Sequence, residues 1–244
     1  MSERLSVVLP VYNERPVIEL LLADANRLIE RALPGAEIVV VDDASTDGTA
    51  EALERSQRDN PNLRVIRQSP NRGHGPAVIA AISASTGDWI FQIDSDGQFD
   101  LQQFWELWKL RDRADLVLGI RVDRHDPRYR IALSLGAAVV VSLLAGRRVR
   151  DPNVPFRLYR RSLWEELRPL VADDALIPSM FVSLGAAVRR HRIVEVPVTH
   201  RPRPYGRSTL QTGKLLVFCL VALRQLIEFR VRLGRSPPGC PRGR

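Results

Sequence analysis

The feature that most constrains the fold is a set of apolar runs that each end in polar residues. The runs Leu5 to Val11, Glu37 to Val41 and Asp88 to Ile93 lack the polar alternation of half-exposed strands. Between the first two lies Val17 to Arg31, whose apolar residues fall on one helical face. Short strands alternating with helices are typical of a mostly parallel sheet covered on both faces. We therefore predict an α/β fold, with further helices at Thr49 to Arg58 and Gly75 to Ser85 and a strand at Leu63 to Arg67.

Three of the predicted strands are followed at once by polar clusters. These clusters are Pro10 to Glu14, Asp42 to Gly48 and Asp94 to Gln98. In parallel α/β sheets the ligand lies outside the carboxyl ends of the strands. We therefore expect the three clusters to converge in one ligand site.

Asp94 and Asp96 are carboxylates two residues apart at the exit of a buried strand, so both can turn toward one point. Hard oxygen ligands of this kind suit Mg²⁺ or Mn²⁺, which bind few protein carboxylates together with substrate phosphates. The alternative is a solvated turn, since Asp-Ser-Asp-Gly is ordinary turn chemistry. Gln98 adds a further oxygen ligand and favours the metal site.

The other two clusters suggest contacts to a ligand. Asp42 and Asp43 end an apolar strand, where neighbouring like charges need a compensating group; we interpret Asp42 as functional and Asp47 as a structural helix cap. Tyr12 is suited to stacking on a base and Glu14 to accepting from hydroxyl groups, although a plain strand exit explains both as well. The segment Asn71 to Ala77 is either a phosphate-binding helix start or a helix start alone.

The second half of the chain alternates less regularly. We predict a helix at Leu101 to Arg111, a strand at Asp115 to Ile120, a helix at Arg130 to Gly146 and a strand at Arg192 to Val198, followed by the basic loop Thr199 to Ser208. The predicted domain covers residues 1–212, with a nucleotide-binding half at about 1–100 and an acceptor half at about 101–212. A basic amphipathic helix at 213–233 and a disordered tail at 234–244 complete the chain.

Charge is concentrated near the C-terminus. The net charge is +8, and seven basic residues accompany Glu228 alone between Lys214 and Arg244. Such a segment is suited to lie on an anionic membrane surface, while packing of Leu215 to Leu226 on the domain or on a second subunit is the alternative. Isolated Cys219 and Cys240 and an N-terminus without an export signal favour a cytoplasmic protein, peripheral at the inner face of the membrane.

The run Ile131 to Gly146 is uncharged but shorter than the ~20 residues that span a bilayer. It is flanked by Arg130 and Arg147. We therefore expect a buried or interfacial helix rather than a spanning one.

Together the clusters resemble the inverting nucleotide-sugar glycosyltransferases of the GT-A fold, which is Rossmann-like. The motifs that carry this resemblance are Val8-Leu9-Pro10-Val11-Tyr12-Asn13-Glu14, Val41-Asp42-Asp43-Ala44-Ser45-Thr46-Asp47-Gly48-Thr49, Asn71-Arg72-Gly73 and Asp94-Ser95-Asp96. The branch that looks most similar is that of the polyprenyl-phosphate (dolichyl-phosphate mannose synthase-like) sugar transferases. Its marks are Asp94-Ser95-Asp96-Gly97-Gln98, Gly119-Ile120-Arg121, Arg130 with Ser134, Arg150-Asp151-Pro152, Glu195-Val196-Pro197-Val198 and Arg203-Pro204-Tyr205-Gly206-Arg207-Ser208.

The resemblance implies roles for individual residues. The implied nucleotide-binding residues are Pro10, Tyr12, Glu14, Asp42 and Asp94, and the implied metal ligands are Asp94, Asp96 and Gln98. Arg121, Arg130, Ser134 and Arg203 would surround the acceptor phosphate and the sugar diphosphate, with Asp96, Arg121 and Arg130 as the catalytic residues. The implied cofactor is Mg²⁺ or Mn²⁺, and the implied substrates are a GDP- or UDP-linked sugar and a lipid phosphate.

This sequence also departs from the branch. Ser208-Thr209 stands where a lysine often follows, the transmembrane helices of many relatives are absent, and Asp151 to Phe156 differs from the usual Gly-Phe pairing. A hydroxyl acceptor is therefore the alternative, with Asp173 or Asp174 as the base unless these residues cap a helix. More remote alternatives are a non-catalytic partner-binding module and a nucleic-acid-binding module. Carboxylates in the predicted cleft argue against nucleic acid, because they would repel a polyanion.

Overall fold

The computed structural model describes residues 3–30, 35–122, 124, 126–203 and 215–236. Within these residues seven strands form one sheet. They are β1 (Leu5–Val11), β2 (Glu37–Asp42), β3 (Leu63–Arg67), β4 (Trp89–Gln92), β5 (Leu116–Val122), β6 (Arg157–Arg160) and β7 (Ile193–Thr199). Their order across the sheet is β3-β2-β1-β4-β6-β5-β7. Only β6 runs antiparallel to its neighbours, so the predicted α/β fold with a mostly parallel sheet is confirmed.

The described helices are α1 (Ile18–Glu30), α2 (Thr49–Asp59), α3 (His74–Ala84), α4 (Phe104–Trp108), α5 (Arg128–Ala145), α6 (Arg161–Leu167), α7 (Pro178–Val188) and α8 (Leu215–Arg235). The helix predicted at Leu101 to Arg111 is instead a 3-10 turn at Leu101–Gln103, the short α4 and a second 3-10 turn that starts at Arg111. The capping role of Asp173 or Asp174 is also wrong, because α7 begins after Ile177 without a side-chain cap.

The parallel register brings the strand exits to one edge of the sheet. All seven residues of β1 are buried, and Val11 at its end pairs with Asp42 at the end of β2. On the other side of β1, Val8 pairs with Gln92, the last residue of β4. The strand exits therefore share one edge of the sheet, as predicted.

An aromatic cluster joins the two halves of the sheet. The ring centroid of Phe91 lies 4.8 Å from that of Phe104 and 4.9 Å from that of Phe156, and Phe99 stacks on Phe156 at 5.2 Å. All four side chains are buried. This packing fixes the loop before β6 against the end of β4, which carries Asp94 and Asp96.

Helices α5 and α8 are less enclosed than the others. Only Ala138 and Val141 of α5 are buried, so of the two predicted settings, a buried or an interfacial helix, the buried one is wrong. By length and composition, α5 is the one helix in the described part of the chain that could cross a membrane. Helix α8 packs one side on α7, where Phe181 and Phe229 have ring centroids 5.0 Å apart. The helix continues to Arg235, past the predicted start of the tail at 234, while residues 204–214 and 237–244 lie outside the described residues.

Candidate functional site

The exits of β1, β2 and β4 are joined by hydrogen bonds. The backbone N–H of Asn13 donates to Ser45 Oγ (2.9 Å), and that of Glu14 donates to Thr49 Oγ1 (3.0 Å). Ser95 Oγ donates to the carbonyl of Pro10 (2.9 Å). The three polar clusters therefore meet, as the parallel-sheet rule predicts.

Asp42 presents an unsatisfied acceptor. Its side chain is 1% exposed and Oδ1 accepts from the N–H of Ser45 (3.2 Å), but Oδ2 is buried without a hydrogen-bond partner among the described residues. The nearest cation is Arg67, whose Nε lies 3.7 Å away. A buried carboxylate oxygen without a donor is costly, and a donor group of a ligand would satisfy it.

Its neighbour Asp43 has a structural role that the sequence analysis missed. Asp43 accepts from the N–H groups of Arg72 and Gly73, both at 2.7 Å, and its carbonyl accepts from Asn71 Nδ2 (2.8 Å). Asp43 therefore fixes the segment that leads into α3. Asp47 accepts from the N–H of Thr49 at the start of α2 (3.0 Å), which fits a structural role. The cap residue of α2 is Gly48, however, so the prediction of Asp47 as the helix cap is wrong.

The glycine-containing start of α3 serves helix packing. A Cβ atom at Gly75 would lie 1.9 Å from the carbonyl oxygen of Ala175, so the close approach of α3 to this segment requires glycine. The same helix start brings His74 Nε2 to 3.8 Å from Asp94 Oδ1. The helix-start interpretation therefore fits this segment, and the imidazole is an additional group at the site.

Asp94 and Asp96 form an acidic centre. Asp94 Oδ1 is buried without a hydrogen-bond partner in the described chain, and Asp96 Oδ1 accepts from the N–H of Gln98 (3.1 Å). Burial and then repulsion from Asp94 raise the pKa of Asp96 to about 6. An orphaned carboxylate oxygen beside a second carboxylate fits a divalent cation. The described residues contain no cluster of three Asp, Glu, His or Cys side chains. Mg²⁺ is commonly held by one or two carboxylates together with waters and substrate phosphates.

Gln98 ties the segment after β7 to the site. Its Nε2 donates to the carbonyl of Arg201 (3.0 Å), and the N–H of Arg201 donates back to the carbonyl of Gln98 (2.8 Å). Next to this pair, Phe99 and His200 form a β-bridge. The predicted metal contact of Gln98 would use its amide oxygen and stays a prediction.

Glu14, which was predicted to bind the nucleotide, forms an ion pair with Arg203, which was predicted to bind the acceptor phosphate. Glu14 is 7% exposed, and Tyr12 two residues earlier is 37% exposed. Burial raises the pKa of Glu14 to about 7, although Arg203 opposes this shift. The two predicted subsites are therefore in direct contact.

Arg121 lies at the end of β5 in a buried ion pair. Its Nε and Nη2 donate to the two carboxylate oxygens of Asp151, both at 2.8 Å, and Nη2 also reaches Ser134 Oγ (3.2 Å). The pair with Asp151 raises the pKa of Arg121 against the effect of burial. Arg121 and Ser134, both predicted to bind the acceptor phosphate, are thus in contact. For Asp151, no role of its own was predicted from the sequence. Arg130 lies in the first turn of α5, four residues before Ser134.

A groove of about 780 Å³ begins at Arg121 and Asp151 and runs along α5. Its apolar lining comes from Ile120, Ile131, Leu135, Ala138, Val139, Leu143 and Val149. Its basic lining comes from Arg121, Arg124, Arg147, Arg148 and Arg150. Such a groove is suited to a ligand with an apolar chain and an anionic head.

Arg157 is a buried cation that the sequence analysis did not single out. Its guanidinium donates to the carbonyls of Pro152 (2.9 Å), Val154 (2.7 Å) and Ser179 (2.6 Å), and no carboxylate of the described chain lies within salt-bridge distance. Complete burial lowers its pKa to about 10, which leaves it protonated at neutral pH. Arg157 therefore holds the loop that presents Asp151 to Arg121. The available sequence signal was an arginine that directly follows the apolar residues Val154-Pro155-Phe156.

The base candidates for a hydroxyl acceptor are engaged elsewhere. Asp173 pairs with Arg168 and its side chain is 74% exposed, while the carbonyl of Asp174 accepts from Gln225 Nε2 (3.3 Å). In the part of the chain that the structure describes, neither carboxylate has a hydrogen bond or ion pair to the acidic centre.

Three solved structures share this fold. Glucosyl-3-phosphoglycerate synthase from Mycobacterium tuberculosis, in complex with Mn²⁺, UDP and phosphoglyceric acid, is 20% identical with a TM-score of 0.69, and the alignment covers 98% of this chain and 81% of that one. Mannosyltransferase PcManGT from Pyrobaculum calidifontis, with GDP-Man and Mn²⁺, is 21% identical with a TM-score of 0.58, covering 99% and 67%. S. aureus TarS 1–349 with UDP is 23% identical with a TM-score of 0.59, covering 82% of this chain and 60% of the TarS chain. At these identities the similarity shows a common fold.

The profile of a sequence family settles the class of protein. The family described as glycosyl transferase family 2 matches residues 6–177, which include β1 from its second residue, the acidic centre, Arg121 and Arg157. This match confirms the glycosyltransferase class that the sequence motifs predicted. The chain belongs to glycosyl transferase family 2.

Proposed function

We propose that the protein transfers a sugar from a GDP- or UDP-linked donor to a polyprenyl phosphate, with inversion at the anomeric carbon and with Mg²⁺ or Mn²⁺ as cofactor. The observation that carries this proposal is the position of Arg121. Arg121 lines the basic, apolar groove and also interacts electrostatically with Asp94 of the acidic centre.

The donor would bind at the exits of β1 and β2. The unsatisfied Oδ2 of Asp42 would accept from a base, Tyr12 would stack on it, and Pro10 and Glu14 would contact the rest of the nucleoside. Support comes from the shared fold of structures whose complexes contain UDP or GDP-Man. Because these structures contain two different bases, the proposal covers both GDP- and UDP-linked donors.

The metal would be held by Asp94 and Asp96, with the amide oxygen of Gln98 as a further ligand. A divalent cation there supplies Lewis-acid stabilisation of the charge that develops on the departing diphosphate. The two carboxylates alone repel each other, as the raised pKa of Asp96 indicates, so a cation would relieve their repulsion. Mn²⁺ is present in two of the structures that share the fold.

The acceptor phosphate would lie at the head of the groove, near Arg121, Arg130, Ser134 and Arg203, with its isoprenoid chain along α5. A phosphate oxygen attacks the anomeric carbon while the bond to the nucleoside diphosphate breaks, and the diphosphate leaves with the electron pair. Charge-assisted hydrogen bonds from arginine orient such an anion. Because a phosphate is already ionised at neutral pH, no general base is needed. This is consistent with Asp173, the candidate base, being paired with Arg168 instead of with the acidic centre.

The proposal also locates the enzyme at the inner, cytoplasmic face of the membrane as a peripheral protein. Helix α8 would contribute to this contact through exposed apolar residues such as Leu216, Val217 and Leu220, which are 72%, 63% and 58% exposed. A second copy packed on α8 is the alternative. Nucleic acid is not expected as a partner, because carboxylates surround the donor site.

A matched pair of acceptors tests the proposal. The purified full-length chain is incubated with Mn²⁺ and GDP- or UDP-linked sugars, and release of nucleoside diphosphate is followed with farnesyl phosphate or with farnesol, which has the same chain without the phosphate. We expect release that depends on farnesyl phosphate and is lost in Arg121→Met, while Arg58→Met on the exposed end of α2 behaves as wild type. Release that requires farnesol and ignores the phosphate contradicts the acceptor and supports the hydroxyl alternative.

A further inference from the structure

Helix α5 exposes an apolar stripe at the edge of the groove. Leu135, Val139 and Leu143 follow one another at four-residue spacing on one helical face and are 61%, 58% and 77% exposed. The helix contains no acidic residue. Contiguous exposed apolar surface of this kind is unusual on a monomeric protein and marks an interaction surface.

The opposite side of α5 is attached to the domain along its length. Ser134 Oγ lies 3.2 Å from Arg121 Nη2, and two turns later Ser142 Oγ accepts from the N–H of Val149 (3.0 Å). Ala138 and Val141 between them are buried. At the end of the helix, Arg230 Nε of α8 donates to the carbonyl of Leu144 (2.8 Å). Because Ser134 is tied to β5 and Leu144 to α8, α5 cannot cross a bilayer without leaving the domain and would have to lie parallel to any membrane surface.

The charges at the two ends of α5 are positive. Arg128 is the first residue of the helix and is exposed, and Arg147 and Arg148 follow the helix and are exposed as well. The phosphate layer of an anionic membrane offers counterions to both ends at once. In a symmetric contact between two copies, by contrast, these arginines would meet arginines of the other helix.

We infer that α5 is a membrane-contacting helix, with Leu135, Val139 and Leu143 inserted at the boundary of headgroups and acyl chains and the arginines at its ends on lipid phosphates. An amphipathic helix in this position buries its apolar face about 5–10 Å into the boundary region. The same three side chains line the groove, so the groove opens directly to the lipid phase. This inference extends the proposed function, because a polyprenyl chain would enter the groove sideways from the membrane, but its test requires neither donor nor acceptor.

The first arm of the test measures vesicle binding by flotation of the full-length protein. The vesicles consist of phosphatidylcholine alone or of phosphatidylcholine with phosphatidylglycerol. We expect binding to the anionic vesicles and a loss of about tenfold or more in the double variant Leu135→Glu/Leu143→Glu, since binding scales with buried apolar area. The matched control is Leu20→Glu, which changes a 67% exposed leucine on α1 and should leave binding unchanged.

The second arm reports the environment of the helix directly. An environment-sensitive fluorophore is attached at Leu143→Cys or at Leu20→Cys, each in a background in which Cys219 and Cys240 are replaced by serine. We expect a blue shift with anionic vesicles for the label at position 143 and none for the label at position 20. The absence of a shift at position 143, or flotation of the double glutamate variant at the wild-type level, overturns the inference.

Analytical ultracentrifugation in solution tests the alternative that a second copy of the chain covers the stripe. A wild-type dimer that becomes a monomer in Leu135→Glu/Leu143→Glu would assign the stripe to a second copy of the chain and overturn the membrane contact. The two proposals can fail separately. Vesicle binding without turnover of farnesyl phosphate contradicts the acceptor alone, and turnover of farnesyl phosphate in detergent without vesicle binding contradicts the membrane contact alone.

Discussion

Arg203 donates a hydrogen bond to the carboxylate of Glu14, a residue 189 positions earlier in the chain. The contact joins the exit of the central strand β1 to the segment that follows the edge strand β7. Glu14 was predicted to bind the nucleotide and Arg203 to bind phosphate, so a bound donor would compete for both partners. The ionisation of Glu14 is therefore expected to influence stability in the absence of ligands.

We predict that wild-type stability falls as pH rises through the titration of Glu14. The pKa of Glu14 is raised from 4.5 to about 7, so the folded state holds a proton that the unfolded state has lost between these pH values. The stabilisation is fully present below pH 4.5 and disappears above pH 7. Relative to the neutral Glu14→Gln variant, the free energy of unfolding should fall by about 2–3 kcal/mol across this window. Urea unfolding of the wild type and of Glu14→Gln in EDTA, at pH values from 4.5 to 7, measures this difference. The same pH dependence of the free energy of unfolding in both proteins would contradict the prediction.

Metal removal should act through the acidic centre. We predict that EDTA or Asp96→Asn reduces the affinity for a nucleoside diphosphate by about tenfold or more, because the cation links the carboxylates to phosphate oxygens. Titration calorimetry with UDP and GDP, with and without Mn²⁺, measures this effect. The exposed Asp59→Asn on α2 is the matched control and should keep the Mn²⁺ dependence. Equal nucleotide affinity of Asp96→Asn with and without Mn²⁺ supports the prediction, whereas an unchanged Mn²⁺ effect in this variant argues against a metal at Asp96.

Variants of Arg121 and Asp151 should affect the stability of the fold and the transferase activity differently. Breaking this buried pair by Asp151→Ala leaves an uncompensated cation and should destabilise the fold by about 3 kcal/mol. The double variant Arg121→Met/Asp151→Leu removes both charges and should regain most of that stability while transferase activity remains lost. Thermal or urea unfolding and farnesyl-phosphate-dependent release measure the two properties. An active double variant would show that Arg121 only supports the fold.

The sheet and the meeting of its three strand exits could be predicted from the sequence, because the apolar runs of β1, β2 and β4 encode burial on both faces. Contacts between distant segments could not. Nothing local in the sequence indicates that Asp43 fixes Asn71 to Gly73, that Arg203 reaches Glu14 or that Arg157 holds the loop before β6. For a related reason two settings were predicted for α5, buried or interfacial, because its apolar composition fits a buried helix as well as an exposed one. Only the packing of α5 against its neighbours distinguishes the two.

Two glycines in helices provide a final, matched prediction. A Cβ atom at Gly75 would lie 1.9 Å from the carbonyl oxygen of Ala175, a backbone atom that cannot rotate away. Gly75→Ala should therefore push α3 away from this segment and destabilise the protein by about 2 kcal/mol or more. Because His74 on the same turn lies near Asp94, the displacement should also weaken nucleotide binding with Mn²⁺.

Gly136 in α5 is the control, since an added Cβ there would meet, within 4 Å, no described atom beyond the nearby backbone of its own helix. Gly136→Ala should stabilise the protein by about 0.5–1 kcal/mol, because alanine loses less backbone entropy than glycine in a helix. Urea unfolding of both variants measures the two changes in the free energy of unfolding, which should have opposite signs. If both substitutions shift stability in the same direction, helix propensity rather than the contact with Ala175 governs position 75, and the glycine at the start of α3 would then have no packing role.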